Sequence, residues 1–412
     1  MKRERTILRR DFLNATAVAG VGALMPKDSP AQGKEPDTAR GVSEAPKELP
    51  AQRQIRLLAD LLVEWQTDVG RLDPRRTRWA TWGSKRNSYP RWATALNQAY
   101  RATGIDAYRD AADRLGVFYL SCLCNTANFH PPHFGLGMVM YREIKKNHPK
   151  VVDFDAKAAA LFEWMKPFRW DRGSYYRNGY PGGNMPDAGN SCDNADAGNG
   201  LMAYHSVKKR PEILAAAEQL GQYFLTEVKP GTYQGVWSSK LGTWVVAPTT
   251  QDHFEHFKNV TSSKIAWGYT SIIAISYLIR LAKATDKKPM RANIAEKCAA
   301  SMKWQFDACQ FDDGACGMAG RDDKWLGMTA GAILSYLRVR NAGYLCERDN
   351  AHYRPKAQAA RSWLLRSITV ENLRSRSAGY FPVHGRSLPK PPDNVSWNLA
   401  YALEVLPRIQ DI

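Results

Sequence analysis

Helical segments of two kinds alternate along the chain after residue 50, and this alternation limits the possible folds more than any other feature. One kind carries apolar residues at three- and four-residue spacing with charges between them, which is typical of helices that pack one face against a core. The other kind is rich in small and apolar residues, and its segment 265–279 (IAWGYTSIIAISYLI) contains no charged residue. Because a helix that is apolar on every side is a buried helix, the two kinds predict two layers.

The segments pair in a regular order. We expect amphipathic helices at 51–68, 105–122, 152–166, 211–228, 290–307 and 353–367, and buried helices at 90–103, 134–146, 193–208, 264–282, 324–340 and 395–408. Six buried helices alternating with six amphipathic ones predict an inner ring inside an outer ring, an all-α (α/α)6 toroid. A seventh pair or an incomplete one stays open, because boundaries taken from a sequence are uncertain by a few residues.

Connection lengths indicate where a functional face would lie. The connections that lead from a buried helix to an amphipathic one are about four residues long, whereas those that lead into the buried helices are long: 69–89, 123–133, 168–192, 228–262, 308–323 and 368–394. In a toroid, all the long connections then meet at the N-terminal ends of the inner helices. Binding residues concentrate on loops that a rigid scaffold carries, so we expect the site on this face.

The N-terminus predicts export. Arg9 and Arg10, an apolar run at 15–25 and Ser29-Pro30-Ala31 resemble a twin-arginine signal with its cleavage point. We therefore expect a removable signal at 1–31, a linker at 32–50, and a single toroid domain at 51–412 in the periplasm or outside the cell. A basic tail is the alternative interpretation. The apolar run is too short to span a bilayer, so no membrane contact is expected once the signal has been removed.

Charge narrows the class of partner. The chain carries a net charge of +18, of which the segment up to Ala31 accounts for +3. A strongly basic protein favours anionic partners. Because no nucleic-acid-binding motif is present and an exported protein meets little nucleic acid, we expect an acidic polysaccharide as the partner and no nucleic acid. We also expect a monomer. The seven cysteines are too few for a disulfide framework and indicate buried free thiols, although Cys309 and Cys316 could pair.

The long connections carry aromatic, amide and cationic residues that suit a sugar acid. Indole rings stack on pyranose faces, and guanidinium groups pair with carboxylates. The candidate substrate-binding residues are Trp79, Trp82, Arg86, Tyr176, Arg177, Tyr180, Asn190, Trp267, Arg321, His384 and Arg386. For the connection at 69–89, an ordinary surface loop anchored by its tryptophans explains the pattern equally well.

Five of the eight histidines also fall on this face: His130, His133, His253, His256 and His384. Histidine is the usual base at neutral pH. Two H-x-x-H pairs could bind zinc, but a Pro-Pro pair interrupts the first and no HExxH glutamate accompanies either. We therefore expect no metal site and no cofactor, and nothing in the sequence indicates Ca²⁺. His205, which lies well inside its helix, is expected to be a core residue.

These residue types match β-elimination. Removing the proton next to a uronate carboxylate requires donors that neutralise the carboxylate, a base such as His or Tyr, and an acid for the leaving oxygen. Hydrolysis would instead require two carboxyl groups on either side of the glycosidic bond. The candidates for that role are Asp187, Asp193, Asp196, Asp322 and Asp323.

Two short motifs resemble the (α/α)-toroid polysaccharide lyases, a group that includes alginate, glucuronan and chondroitin lyases. Asp193-Asn194-Ala195 opens one predicted inner helix, and Trp267-Gly268-Tyr269 opens the next. The resemblance implies that Asn194 neutralises the carboxylate and that Tyr269 is the catalytic acid, and it leaves open whether Tyr269 is also the base. Ala195 stands where a histidine is expected in such lyases.

Because Ala195 occupies that position, a catalytic histidine would have to come from another part of the chain. His256 or His253 is then the first candidate for the base, and His130 the second. Asn194 could instead be a helix N-cap, and Tyr269 a core tyrosine. The function predicted here is therefore an exported lyase for an anionic, uronate-containing polysaccharide such as alginate or glucuronan. The alternatives are a toroid glycoside hydrolase that uses paired aspartates and a non-catalytic protein that binds acidic glycans.

Overall fold

The computed structural model describes residues 50–66, 82–123, 131–147, 152–166, 191–229, 235–246, 266–374, 380–381 and 395–412. The signal at 1–31 and nearly all of the linker at 32–50 lie outside these ranges. The described residues belong to one compact unit, Leu49–Ile412. None of the described helices is both long and apolar enough to cross a bilayer.

Thirteen α-helices occupy the described ranges. They are α1 Pro50–Glu64, α2 Trp82–Thr103, α3 Asp106–Leu123, α4 Pro131–Asn147, α5 Val152–Met165, α6 Ser191–Val207, α7 Pro211–Leu225, α8 Gly268–Ala284, α9 Lys288–Cys309, α10 Leu326–Asn341, α11 Glu347–Ser367, α12 Val370–Arg374 and α13 Val395–Val405. A 3-10 helix, Leu406–Asp411, follows α13.

The inner ring closes. Helix α2 contacts α4, α4 contacts α6, α6 contacts α8, α8 contacts α10, α10 contacts α13, and α13 returns to α2. Between successive inner helices the chain passes through α3, α5, α7, α9 or α11, which pack outside the ring, and α1 completes the outer layer against α2 and α13. Within the described ranges this is the predicted (α/α)6 toroid, with six helices in each ring.

Burial separates the two rings as the sequence pattern predicts. Almost every residue of α8 and α10 is buried, whereas α9 and α11 bury one face only. The short turns between the rings rely on local chemistry. For example, Gly104 adopts a φ of 72° just after α2 ends, a conformation that costs other residues energy.

Close packing fixes α6 against α4. A β-carbon at Gly135 would collide with the backbone of Asp196 and Ala197, and one at Gly200 would collide with the Gly135 backbone. These glycines therefore let the two helix backbones approach to within contact distance. The packing also sets the position of Asp196 in the ring.

Two short antiparallel pairs lie next to the inner-helix N-termini. Strand β1 (Trp237–Ser238) pairs with β2 (Thr243–Trp244), and β3 (Lys324–Trp325) pairs with β4 (Tyr380–Phe381). Ser191, the first residue of α6, donates from its backbone N–H to the Val246 carbonyl over 2.8 Å. The first pair thus anchors the start of α6.

Several boundaries differ from the prediction. The segment predicted as a helix from residue 324 begins with β3, and α10 starts only at Leu326. The helix predicted from residue 264 begins at Gly268, and the last helix becomes a 3-10 helix after Val405. Trp82 and Arg86, which we assigned to a loop, lie in the first turns of α2. An apolar pattern marks burial, and short buried strands share that pattern with helix ends.

The prediction of buried free thiols is confirmed for four of the five described thiols. Cys192, Cys298, Cys309 and Cys316 are buried and free, and Cys346 is exposed and free. Burial raises the pKa of Cys309 to about 12, so this thiol is protonated at neutral pH. Because Cys309 and Cys316 are both free thiols in this structure, the alternative of a disulfide between them is wrong.

Candidate active site

A buried arginine connects four inner helices near the N-terminal ends of α6 and α8. Arg91 of α2 donates from Nη2 to both carboxylate oxygens of Asp196 on α6, over 3.1 and 2.9 Å. The same nitrogen donates to the Tyr269 hydroxyl on α8 over 2.8 Å, and Nη1 donates to the Tyr401 hydroxyl on α13 over 2.7 Å. We call these four residues the Arg91 cluster.

Ring geometry reinforces these hydrogen bonds. The guanidinium carbon of Arg91 lies 5.5 Å from the Tyr269 ring centre and 5.0 Å from that of Tyr401. The two rings meet edge to face at an interplanar angle of 88°. Cation–π and edge-to-face contacts of this kind each contribute of the order of 1 kcal/mol. Hydrogen bonds and ring contacts together hold the guanidinium plane.

Local sequence places each member of the Arg91 cluster. Tyr269 is the second residue of α8 and Asp196 the sixth of α6, so both lie in the first two turns of their helices. Arg91 follows Pro90, which lies inside α2, and the Thr94 hydroxyl donates to the Pro90 carbonyl over 2.8 Å. The positive ends of helix dipoles favour a carboxylate at the position of Asp196.

Burial controls the protonation of the Arg91 cluster. The Arg91 and Asp196 side chains are only 11% and 7% exposed. Burial raises the pKa of Asp196 to about 7, against the opposing charge of Arg91 and with a further contribution from Asp193. Burial also raises the pKa of Tyr269 well above its ordinary value, although Arg91 acts to lower it. Burial likewise raises the pKa of Tyr401, so both tyrosines are neutral at pH 7, while Asp196 titrates near this pH.

This arrangement has a chemical consequence for Tyr269. Its oxygen accepts a hydrogen bond from a cation, and the hydroxyl retains its own proton for donation to a different oxygen. A guanidinium at 2.8 Å also stabilises the phenolate that forms once the proton has been given up. The hydroxyl therefore has the features of a general acid that can be re-protonated.

The structure describes part of the predicted site, and the roles assigned to its residues remain predictions. Asn194 is buried in the first turn of α6, three residues after the helix begins, so its interpretation as an N-cap is wrong. Trp267 precedes α8 and is partly exposed, and Arg321 is exposed in the connection before β3. Asp322 does not cap α10, since it accepts from the Met318 N–H within that connection. His205 is buried in α6, as expected for a core residue.

Most of the other candidates lie outside the described residues. They are His130, His253, His256, Trp79, Tyr176, Arg177, Tyr180, Asn190, His384 and Arg386. The roles assigned to them remain predictions. Trp82 and Arg86 lie in the first turns of α2.

Sequence reasoning missed Arg91 and Tyr401. Both lie in segments that were predicted as inner helices, and an arginine in an apolar inner helix is a signal that could have marked the first of them. Asp196 was considered only as a hydrolytic carboxylate. Nothing in the sequence indicates that these residues meet, because Arg91 and Tyr401 are 310 positions apart.

A cavity continues from the Arg91 cluster along the axis of the inner ring. Its volume is about 290 Å³, and Arg91, Asp196 and Tyr401 line one end of it. The rest is lined by charged side chains from the C-terminal halves of the inner helices together with neutral ones such as Ile272, Ile273 and Ser276. No group of three His, Cys, Asp or Glu side chains suited to a metal ion occurs in the described part of the chain.

Comparison with known proteins identifies the architecture. No family model matches the chain, and no curated protein matches it. Solved structures, however, match the chain by their fold. A possible member of the GH105 family from Klebsiella pneumoniae aligns with a TM-score of 0.63 at 14% identity, covering 94% of this chain and 100% of that one. The fold is that of the (α/α)-toroid carbohydrate-active enzymes.

Two further structures broaden the comparison. A polysaccharide lyase aligns with a TM-score of 0.59 at 13% identity, covering 88% of this chain and 99% of that one. A sugar epimerase from a ruminal bacterium aligns with a TM-score of 0.60 at 12% identity, covering 87% and 99%. A lyase and an epimerase catalyse different reactions, so the likeness shows the fold and does not choose a reaction.

Proposed function

We propose that this protein is a carbohydrate-active enzyme that cleaves a uronate-containing polysaccharide by β-elimination, with Tyr269 as the proton donor. The observation that carries the proposal is the 2.8 Å hydrogen bond from Arg91 to the Tyr269 hydroxyl at the N-terminal end of α8. The toroid fold supports it, since one structure of this fold is a polysaccharide lyase.

The reaction assigns separate tasks to separate residues. A base removes the proton from the carbon next to the uronate carboxylate. The electron pair of that carbon–hydrogen bond forms the new carbon–carbon double bond, and the neighbouring carbon–oxygen bond to the leaving group breaks. Tyr269 gives its proton to the leaving oxygen, and Arg91 stabilises the resulting phenolate until solvent returns the proton. His256, His253 or His130 is proposed as the base, and Asn194 as the donor that neutralises the carboxylate.

The other parts of the proposal rest on the sequence. The twin-arginine segment supports export to the periplasm or beyond, and the net charge of the chain without it, +15, supports an acidic polymer such as alginate or glucuronan as substrate. The proposed enzyme acts as a monomer and uses no cofactor.

Hydrolysis is the second candidate, and the pKa of Asp196 favours it. A carboxyl with a pKa of about 7 is partly protonated at neutral pH, as a general acid for glycoside cleavage must be. Asp193 lies three residues earlier on the same helix and could be the second carboxyl group. Similarity to a possible GH105 member also supports this alternative. Against it, Asp196 accepts two hydrogen bonds from Arg91, which stabilise the ionised form.

One experiment separates these reactions. Purified protein is incubated with alginate, glucuronan, pectate and glycosaminoglycans while both the ultraviolet absorbance of the unsaturated product and the release of reducing ends are followed. β-Elimination raises both signals, whereas hydrolysis raises only the second. A flat absorbance trace on every polyuronate would refute the proposal, and salt-sensitive binding without turnover would indicate a glycan-binding protein.

Matched variants then identify the acid. Tyr269→Phe should lower the elimination rate by roughly 10²- to 10⁴-fold, the usual contribution of a general acid. Tyr401→Phe is the control, because it also removes a hydroxyl that accepts from Arg91 but leaves Tyr269 in place. Equal losses in both variants would mean that the tyrosines only hold Arg91. Under hydrolysis, Asp196→Asn should abolish release of reducing ends and Tyr269→Phe should have little effect.

A further inference from the structure

The end of the axial cavity remote from the Arg91 cluster carries an excess of positive charge that the proposed reaction does not use. Eight of the residues that line the whole cavity are arginine or lysine, and three are aspartate or glutamate. Arg142, Arg280 and Arg338 extend into it from α4, α8 and α10, and Glu143 and Glu404 are the carboxylates at this end. We call this region the basic chamber.

Ion pairing within the basic chamber is incomplete. Glu143 pairs with Arg142 and Arg101, both over 2.6 Å, and Glu404 pairs with Arg338 over 2.9 Å. Arg280 has no carboxylate partner among the residues that the structure describes. Its hydrogen bond goes to a neutral group, the Asn199 side-chain oxygen, over 3.1 Å.

The Arg280 guanidinium is nevertheless held in place. The Asn199 side-chain NH₂ donates to the backbone carbonyls of Ala195 and Ile273, both over 3.1 Å, so the amide is fixed between α6 and α8. Ser276 donates to the same Asn199 oxygen over 3.0 Å. A positioned guanidinium that lacks an anionic partner is a prepared site for one.

Like charges crowd this group. Burial lowers the pKa of Arg280 well below its ordinary value, and the charges of Arg142 and Arg338 lower it further, while those of Glu404 and Glu143 act to raise it. Burial also lowers the pKa of Arg338, its partner Glu404 acts to raise it, and Arg408 and Arg142 add to the lowering. An anion placed between these guanidinium groups would reduce the repulsion between them, which adds to the effect of burial on these pKa values.

Helix dipoles explain only part of the pattern. Cations in the last turn of a helix stabilise its negative end, and this accounts for Arg101, Lys283 and Arg338. Arg142 and Arg280 lie before the last turns of α4 and α8 and line the chamber. Their placement follows the cavity and not the helix ends.

We propose that the basic chamber binds a small molecule bearing a carboxylate or phosphate group, no larger than a monosaccharide, with Arg280 as its central ligand. Guanidinium groups match both oxyanions in bidentate geometry. The whole cavity, of which the basic chamber is one end, has a volume of about 290 Å³, which holds several water molecules and falls near the lower limit of ligand pockets. A single chloride ion would fill only a small part of this cavity, and water would fill the rest. The proposal does not depend on the reaction at the Arg91 cluster.

Thermal unfolding of the full chain tests this site. The midpoint is measured with inorganic phosphate and, separately, with glucuronate, against sodium chloride at equal ionic strength. At an anion concentration about 100-fold above its dissociation constant, binding should raise the midpoint by roughly 3–5 °C, and the rise should saturate. Whichever of the two anions acts at the lower concentration identifies the oxyanion. No rise with either anion would overturn the proposal.

Variants assign the effect to the chamber. Arg280→Gln should abolish the anion-dependent rise, while its midpoint in chloride stays equal to or above that of the wild type because a poorly solvated charge is gone. Arg340→Gln is the matched control, since it removes a guanidinium near the end of α10 that does not line the cavity. A rise that persists in Arg280→Gln would overturn the assignment.

Two more variants keep the test independent of folding and of catalysis. Glu404→Gln releases Arg338 from its carboxylate and should raise the anion affinity several-fold, an effect opposite to that of Arg280→Gln. Tyr269→Phe should keep the full rise, because Tyr269 does not line the cavity. Loss of the rise in Tyr269→Phe would place the anion at the Arg91 cluster instead.

Discussion

Replacing Asp196 by asparagine should remove a pH dependence of folding stability that burial of this carboxyl creates. Burial raises the pKa of Asp196 from its ordinary value of 3.8 to about 7, with Arg91 opposing the shift and Asp193 adding to it. The side chain is 7% exposed, so solvent screens the effect little. The shift is large enough to measure against the background of other titrating groups.

The sign follows from proton binding. A carboxyl whose pKa is higher in the folded state than in the unfolded state stabilises the fold below the unfolded value, and this stability is lost as pH rises through the folded value. At about 1.4 kcal/mol per pKa unit, and with the curve flattening near pH 7, the free energy of unfolding of the wild type should fall by about 2 kcal/mol from pH 5 to pH 7 relative to Asp196→Asn.

Urea unfolding of both proteins at pH 5, 6 and 7 measures this difference, because groups common to the two proteins cancel. Asp313→Asn is a control of opposite sign. Despite partial burial, hydrogen bonds from Lys324 and from the Ala315 amide lower the pKa of Asp313. The wild type should therefore lose no stability relative to that variant as pH rises.

The reasoning would be refuted if the difference in the free energy of unfolding between the wild type and Asp196→Asn did not change with pH. It would also be refuted if the wild type became more stable than the variant as pH rises. Either result would mean that Arg91 holds Asp196 ionised at neutral pH. Asp196 could not then donate a proton to a leaving group, and the hydrolytic alternative would lose its main support.

Two further predictions concern packing and charge around the inner ring. Gly135→Ala should destabilise the fold by about 1–3 kcal/mol or more, because the added carbon collides with the backbone of α6; the midpoint of urea unfolding measures this. Glu143→Gln should cost about 2–3 kcal/mol at pH 7, because Glu143 is 2% exposed and pairs with three cations. Although burial opposes them, those cations lower the pKa of Glu143 to about 2, so its contribution is lost as pH falls from about 4.5 toward 2.

Each of these predictions has a control. Gly104→Ala meets no atom within 4 Å and should cost only the strain of a φ of 72°, about 1–2 kcal/mol. A Gly135→Ala protein as stable as the wild type would show that α4 and α6 can separate. Glu163→Gln removes a 59% exposed carboxylate that pairs with Lys166 and should change stability by about 0.5 kcal/mol or less. If Glu143→Gln behaves the same way, the buried pairs contribute nothing net.

Much of the fold could be predicted because it depends on local periodicity. Charge-free segments such as 265–279 report burial directly, and the alternation with amphipathic segments implied two rings. The errors lie at helix ends. Lys324 and Trp325 form a strand because the partner strand, Tyr380–Phe381, lies far along the chain, and no local pattern can indicate that pairing.

The candidate site was predicted less completely. Tyr269 was named because of a resemblance and its place at the start of an inner helix, and the structure places it beside Arg91. Asn194 was placed on the correct helix, but in its first turn and not at its cap. Arg91 was not named at all, because an isolated arginine in a helix shows its function only through its partners.

By itself, the sequence determined the kind of fold and the face on which a site is expected, since both follow from helix periodicity and connection length. Only the tertiary structure decided which side chains meet there. The residues that contact Arg91 are 105, 178 and 310 positions away along the chain, and closure of the inner ring brings them together. The basic chamber has the same origin, because its charges come from different helices and become a site only when the ring encloses them.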